Sequence, residues 1–166
     1  MTVAVGDRAP DFTVPLAGGD AYNDVEEFTL SEALGDGPIV LAFFPAAFTS
    51  GCTTEMCTFR DELAGFEALD AKVYGISTDL PFAQNVFAEQ NDLNFPLLSD
   101  YRDEIIHEYG VVLEGMYGVV DAAERAVFVL DAEGIVTYKW VREGDNPDFA
   151  DLIEEVRVAV EATADD

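Results

Sequence analysis

Both cysteines of this 166-residue chain fall in one stretch, "PIVLAFFPAAFTSGCTTEMCTFRDEL" from Pro38 to Leu63, with Cys57 five positions after Cys52. A cysteine does chemistry as its thiolate, which the positive end of a helix and a nearby cation both favour. The stretch supplies the first of these. Cys52 follows "TSG", in which Thr49 or Ser50 can cap a helix, so its side chain falls in a first turn whose N–H groups lack intrahelical partners. For the cation, the chain holds only six arginines. Arg125, leading into the apolar segment "AVFVLD", is one candidate, and Arg60, eight residues beyond Cys52, is the local one. The competing reading of Cys52 is a buried, inert thiol. No Cys-x-x-Cys occurs, which disfavours a thiol-disulfide oxidoreductase.

Other chemistries find little support. His107 is the single histidine, so a Ser-His-Asp or Cys-His scheme would depend on one residue that reads as an ordinary helix residue, and with the two cysteines it makes a poor zinc set, which usually takes four ligands. There is no phosphate loop. Phe43, Phe44 and Phe48 read as core or pocket wall, and Trp140 as hairpin packing.

The elements that must position Cys52 follow from apolar periodicity. "PIVLAFF" is a short apolar run rich in β-branched and aromatic residues, which suits a central strand buried on both faces and stopped by Pro45. Beyond it, Met56, Phe59, Leu63 and Phe66 recur at spacings of three and four, a helix face. Cys52 therefore lies where a loop enters a helix. "AKVYGIST" reads as a strand, "PFAQNVFAEQNDL" as a helix with Pro81 in its first turn and "NFPLLSD" as a short strand or extended segment, and strand, helix and strand in succession imply parallel pairing. The opening residues read as irregular up to "EEFTLSEAL", a strand passing into a helical turn with Ser31 as N-cap. "EIIHEYGVV" reads as a short helix, "RAVFVLD" and "IVTYKWV" as an antiparallel hairpin, and "DNPDFADLIEEVRVAVEA" as a last helix with Asn146 as N-cap and Pro147 at its first position. The closing "TADD" is expected to fray. The pattern is α/β, a single domain over residues 1–166 with a central mixed sheet flanked by helices.

The charge balance is extreme: 34 acidic residues against 8 basic ones, a formal net charge of -26. Nucleic acid and anionic membranes would be repelled. The acids are scattered among periodic segments, which makes them one charged surface rather than a disordered tail. Self-repulsion of this size is relieved in molar salt, where the Debye length is about 3 Å, so a salt-rich, halophilic cytoplasm is the expected environment. The start "MTVAVGDRAPDF" has no secretory pattern, which also predicts a cytoplasmic protein.

With these residues in place, "PAAFTSGC" resembles the Pro-x-x-x-Thr/Ser-x-x-Cys motif of the peroxiredoxins, thiol peroxidases with a thioredoxin-like fold. "VGDRAPDFTVP" looks like the family's N-terminal extension and "RAVFVLDAEGIV" like its arginine-bearing hairpin. "GCTTEMCTFRDE" is similar to the bacterioferritin-comigratory or Q-type branch, and "FFPAAFTSGC" to the AhpE-like branch. The resemblance implies a peroxidase in antioxidant defence, reducing hydrogen peroxide and organic hydroperoxides through a sulfenic acid on Cys52, with no metal or organic cofactor. It gives Thr49 a hydrogen bond to peroxide and thiolate, and Arg125 the stabilisation of the thiolate and of the leaving oxygen. Pro45 shapes the pocket, Glu55 orients an arginine, and the N–H groups near Gly51 and Cys52 complete the site. Cys57 sits where some Q-type members carry a resolving cysteine that forms an intramolecular disulfide; otherwise an external thiol reduces Cys52. On an intact helix, positions five apart have Cα atoms roughly 8 to 9 Å apart, beyond the reach of about 7 Å of a disulfide, so resolution by Cys57 requires the helix to unwind. The implied partners are a peroxide and a thiol reductant such as a thioredoxin-like protein, with the chain a monomer or homodimer. The alternative function is a redox sensor or holdase with slow turnover.

Overall fold

The computed structural model describes residues 2–164. At its centre β3 (Ile39–Phe43) is buried along its whole length. It pairs in parallel with β4 (Lys72–Ser77) and antiparallel with β8 (Ala126–Leu130). The alternation along this strand explains the layers. Val40, Ala42 and Phe44 face one core, while Ile39, Leu41 and Phe43 face the other. Each face needs a cover, and the helices provide it. α2 (Ser50–Glu67), α3 (Pro81–Gln90) and α5 (Phe149–Ala164) pack on the first face, placing Met56, Phe59, Phe87, Ile153 and Val156 against the sheet. On the second lie α1 (Leu30–Ala33) and α4 (Glu104–Tyr109), which contribute Leu30, Ile105, Ile106 and Tyr109.

The seven-stranded sheet runs β2-β1-β5-β4-β3-β8-β9, with β1 at Thr13–Ala17, β2 at Glu26–Thr29, β5 at Leu97–Ser99 and β9 at Val136–Val141. The β3-α2-β4-α3-β5 run pairs in parallel and β8-β9 is an antiparallel hairpin, as the periodicity predicts. Gly75 permits the close approach of α2: a Cβ there would lie 3.2 Å from Met56 Sδ and 2.6 Å from Leu97 Cδ2.

Five local expectations are corrected. The opening is not wholly irregular, because β1 pairs with both β2 and β5. Ser31 does not cap α1; Thr29 occupies that position, and the Asp11 carboxylate accepts from the Ser31 N–H at 2.8 Å. The helix read over "EIIHEYGVV" stops at Tyr109, where Gly110 takes φ 73°, and the chain continues into an unforeseen hairpin, β6 (Val112–Met116) and β7 (Val120–Ala123). Asn146 and Pro147 precede α5 rather than opening it, and Asp148 accepts from the Asp151 N–H at 3.1 Å in the capping role. Of the closing "TADD", Thr163 is buried and its hydroxyl bonds that of Thr137 at 2.8 Å, so this end of α5 is held. Residues 165–166 lie outside the described residues.

Candidate active site

The loop between β3 and α2 is bent into place before any catalytic group is reached. Pro45 ends the strand and is buried. Phe48 takes φ 69°, a left-handed conformation costly for a bulky residue, and packs edge-on against Phe87. The Ala47 N–H donates to Asp79 Oδ2 at 2.8 Å, and Ser77 Oγ donates to the same oxygen at 2.7 Å, so the end of β4 anchors the loop. Thr49 then takes the N-cap position of α2 with extended backbone, and its carbonyl accepts from the Thr53 N–H at 2.9 Å. Its hydroxyl makes no capping bond. Instead Oγ1 donates to the Ala46 carbonyl at 2.7 Å, which leaves the oxygen's lone pairs as acceptors.

With Ser50 first in the helix, Cys52 is third, among the N–H groups that lack intrahelical partners. It is only 1% exposed, at the floor of a cleft of about 480 Å³. Pro45, Phe48 and Thr49 form one wall of this cleft, Leu113, Met116 and Tyr117 of the β6–β7 hairpin another, and Arg125, Arg142 and Asn146 a third.

Arg125 reaches the thiol from the strand beyond. It stands immediately before β8, beside β3, which carries its side chain across to α2. Each nitrogen of its guanidinium has its own partner. Nη2 donates to Cys52 Sγ at 3.3 Å, Nη1 to Glu55 Oε1 at 2.8 Å, and Nε to Asn146 Oδ1 at 3.0 Å. The Phe149 ring lies 5.3 Å from its Cζ. Burial alone would lower the guanidinium, but the charges of Glu55 and Cys52 more than offset it and hold the group above its ordinary value. Glu55 is wholly buried; burial pushes its carboxyl up to about 7 against the pull of Arg125, and its Oε2 has no hydrogen-bond partner among the described residues.

The structure thus brings together Pro45, Thr49, Cys52, Glu55 and Arg125. It does not bring in Arg60, whose Nη1 donates to the Asn91 carbonyl at 2.6 Å and whose Nε pairs with Asp61 at 2.9 Å. Cys57 lies on α2, half-buried, with its thiol 3.7 Å from Asn91 Oδ1, and both cysteines are free. His107 is exposed on α4, its Nδ1 bonded to the Asp103 carbonyl at 2.6 Å. Sequence reasoning missed Asp79, Asn146 and a second cleft arginine, Arg142, which pairs with Glu124 at 2.9 Å. The scarcity of arginine that singled out Arg125 was the available signal for Arg142.

A thiol at a helix N-terminus, under a buried arginine, on a thioredoxin-like sheet defines a thiol peroxidase. The comparisons agree: the AhpC/TSA family model matches residues 5–139, and the chain belongs to this family, the peroxiredoxins. A Mycobacterium tuberculosis relative carrying the peroxiredoxin name is 40% identical over 128 residues, 77% of this chain and 79% of that one. The 2-cysteine chloroplastic peroxiredoxin of Chattonella marina var. antiqua is 34% identical over 160 residues, 90% of this chain and 78% of that one. Among solved structures, peroxidoxin BcpB of M. tuberculosis superposes with a TM-score of 0.82 at 33% identity, covering 96% of this chain and 97% of that one. Xanthomonas campestris peroxiredoxin Q superposes at 0.78 with 30% identity, covering 92% and 91%. The chain is a thiol-dependent peroxidase, with a peroxide as substrate and a thiol as reductant.

Proposed function

We propose that Cys52 is the peroxidatic nucleophile, acting on hydrogen peroxide and organic hydroperoxides. The single observation that carries this reading is the 3.3 Å contact from Arg125 Nη2 to a thiol in the first turn of α2. Cys52 Sγ attacks one peroxide oxygen; the S–O bond forms as the O–O bond breaks, and the departing oxygen leaves as water or alcohol after taking a proton. Arg125 and the free N–H groups of Gly51 and Cys52 offset the charge developing on that oxygen. Thr49 Oγ1 accepts from the peroxide O–H, Pro45 presents no N–H to compete, and Glu55 orients Arg125. Cys57 then attacks the sulfenic sulfur, water leaves, and a Cys52–Cys57 disulfide awaits a thioredoxin-like reductant.

Residues 1–166 act as one domain in this reading, as a monomer or homodimer in a salt-rich cytoplasm. No helix among the described residues is long and apolar enough to cross a membrane.

Intact mass after one equivalent of hydrogen peroxide in molar potassium chloride, with iodoacetamide counting free thiols, tests the assignment. Loss of both thiols without added oxygen in the wild type, and an oxygen adduct on Cys52 in Cys57→Ser, is the expected result. No rapid change at either thiol would return Cys52 to an inert role. Steady peroxide consumption with a recycling thiol separates an enzyme from a slow redox sensor.

A further inference from the structure

Asn146 stands in the segment between β9 and α5, where the sequence pattern predicts a helix cap, yet it caps nothing. Its Oδ1 accepts two guanidinium N–H groups, from Arg125 Nε at 3.0 Å and from Arg142 Nη1 at 2.9 Å. Two donors on one atom also fix which end of the amide is oxygen. Nδ2 is thereby turned to the first turn of α2, where it lies 2.8 Å from the point a Cβ on Gly51 would occupy; Arg125 Nη2 lies 3.2 Å from the same point. Glycine at position 51 is what lets the side chain and the helix backbone approach so closely.

Two mechanical consequences follow. The aim of a planar guanidinium is set by all of its bonds, so the Nε bond to Asn146 helps direct Nη2 at Cys52 Sγ. Asn146 also stands against the first turn of α2 at Gly51, so an outward swing of that turn would press on it, and moving Asn146 would cost Arg125 its Nε acceptor. The same side chain therefore touches the cation and the helix turn on either side of the thiol.

We propose that Asn146 is a positioning residue that clasps the first turn of α2 to Arg125, keeping Cys52 aimed for peroxide and restraining the unwinding that carries it toward Cys57. The inference rests on Cys52 being the nucleophile.

The test uses the full reduced chain in molar potassium chloride, as wild type, Asn146→Ala and Asn146→Asp. Amide hydrogen exchange reports the first turn through Thr53, whose N–H bonds the Thr49 carbonyl, and the amides just after it. In the alanine variant these amides should exchange about three- to tenfold faster, the range that one ordinary net hydrogen bond converts to, while those of β3 and α5 keep their wild-type rates. Consumption of hydrogen peroxide by Cys52 should slow by a similar factor. The aspartate variant, which keeps an acceptor for both arginines, should restore protection. Wild-type protection in the alanine variant overturns the clasp, as does faster exchange spread evenly over the whole chain, which marks a general loss of stability. An aspartate variant as open as alanine overturns the acceptor's role. If wild-type Cys52 consumes no peroxide, the nucleophile assignment fails, and the exchange pattern alone still decides whether Asn146 holds the turn.

Discussion

Arg125 and Glu55 form an ion pair at 2.8 Å in which the side chains are 3% and 0% exposed. Glu55 lies three residues after Cys52 on α2, so both project on the same side and one guanidinium addresses both. A buried pair of this kind gains little net stability over apolar packing, whereas losing one partner leaves a stranded charge. In the proposed mechanism its value is orientation.

That asymmetry makes a three-chain comparison informative. Arg125→Met should lose about 3 kcal/mol in urea unfolding at pH 8, because Glu55 is left buried and unpaired. It should also lose roughly 10²- to 10³-fold in peroxide kcat/KM, the usual cost of removing a donor to a developing oxyanion. Arg125→Met with Glu55→Leu should recover most of the stability and none of the rate. A double variant as unstable as the single one would show that the stranded carboxylate is not the cause.

Glu55 also predicts a pH dependence. The folded chain holds this proton up to about 7, while the ordinary value is 4.5. Between the two the folded state binds more protons than the unfolded, so stability falls as pH rises: the contribution is complete below about 4.5 and gone above about 7. Its size is at most about 3 kcal/mol. Denaturation midpoints at pH 5 and pH 8 should therefore differ more in the wild type than in Glu55→Gln. Asp100, also raised by burial, acts on both chains alike and drops out of the difference. Equal pH dependence in the two would mean that Glu55 is ionised throughout.

What the sequence made legible was whatever depends on local pattern. β3 reads as a doubly buried strand because all five of its residues are apolar, and α2 because Met56, Phe59, Leu63 and Phe66 keep helical spacing. The β6–β7 hairpin did not read, since "VLEGMYGVVDAA" carries two glycines and no clean alternation, and Tyr117 and Val119 at its tip are 84% and 78% exposed. Asn146 failed for a different reason. Asn-Pro ahead of an apolar run is sound local grammar for a cap, but Arg142, four residues earlier, and Arg125, twenty-one residues earlier, claim the amide oxygen.

The charge of -26 predicts a salt requirement. Only six ion pairs form among the described residues, so most of the 34 acids face solvent or one another without a cation. Moving from dilute buffer to molar potassium chloride should raise the thermal midpoint by about 5–10 °C, which corresponds to roughly 2–3 kcal/mol of relieved repulsion for a chain of this length. An unchanged midpoint would remove the idea.

The last prediction concerns α2 itself. Cys52 and Cys57 both lie within one continuous helix, Ser50–Glu67, whose geometry holds their Cα atoms roughly 8 to 9 Å apart, beyond disulfide reach. A disulfide between them is therefore incompatible with an intact first turn and a half of α2. Oxidation of the wild type by one equivalent of peroxide should lower helical circular dichroism by an amount matching roughly five residues, and dithiothreitol should restore it. Cys57→Ser should lose none, because its sulfenic acid forms without moving the backbone. Cys57 must also leave Asn91, so faster exchange should extend to the end of α3, where the Asn91 N–H bonds the Phe87 carbonyl at 3.2 Å. Full loss of both thiols with unchanged helix content would place the disulfide between two chains rather than within one, which non-reducing electrophoresis would reveal as a covalent dimer.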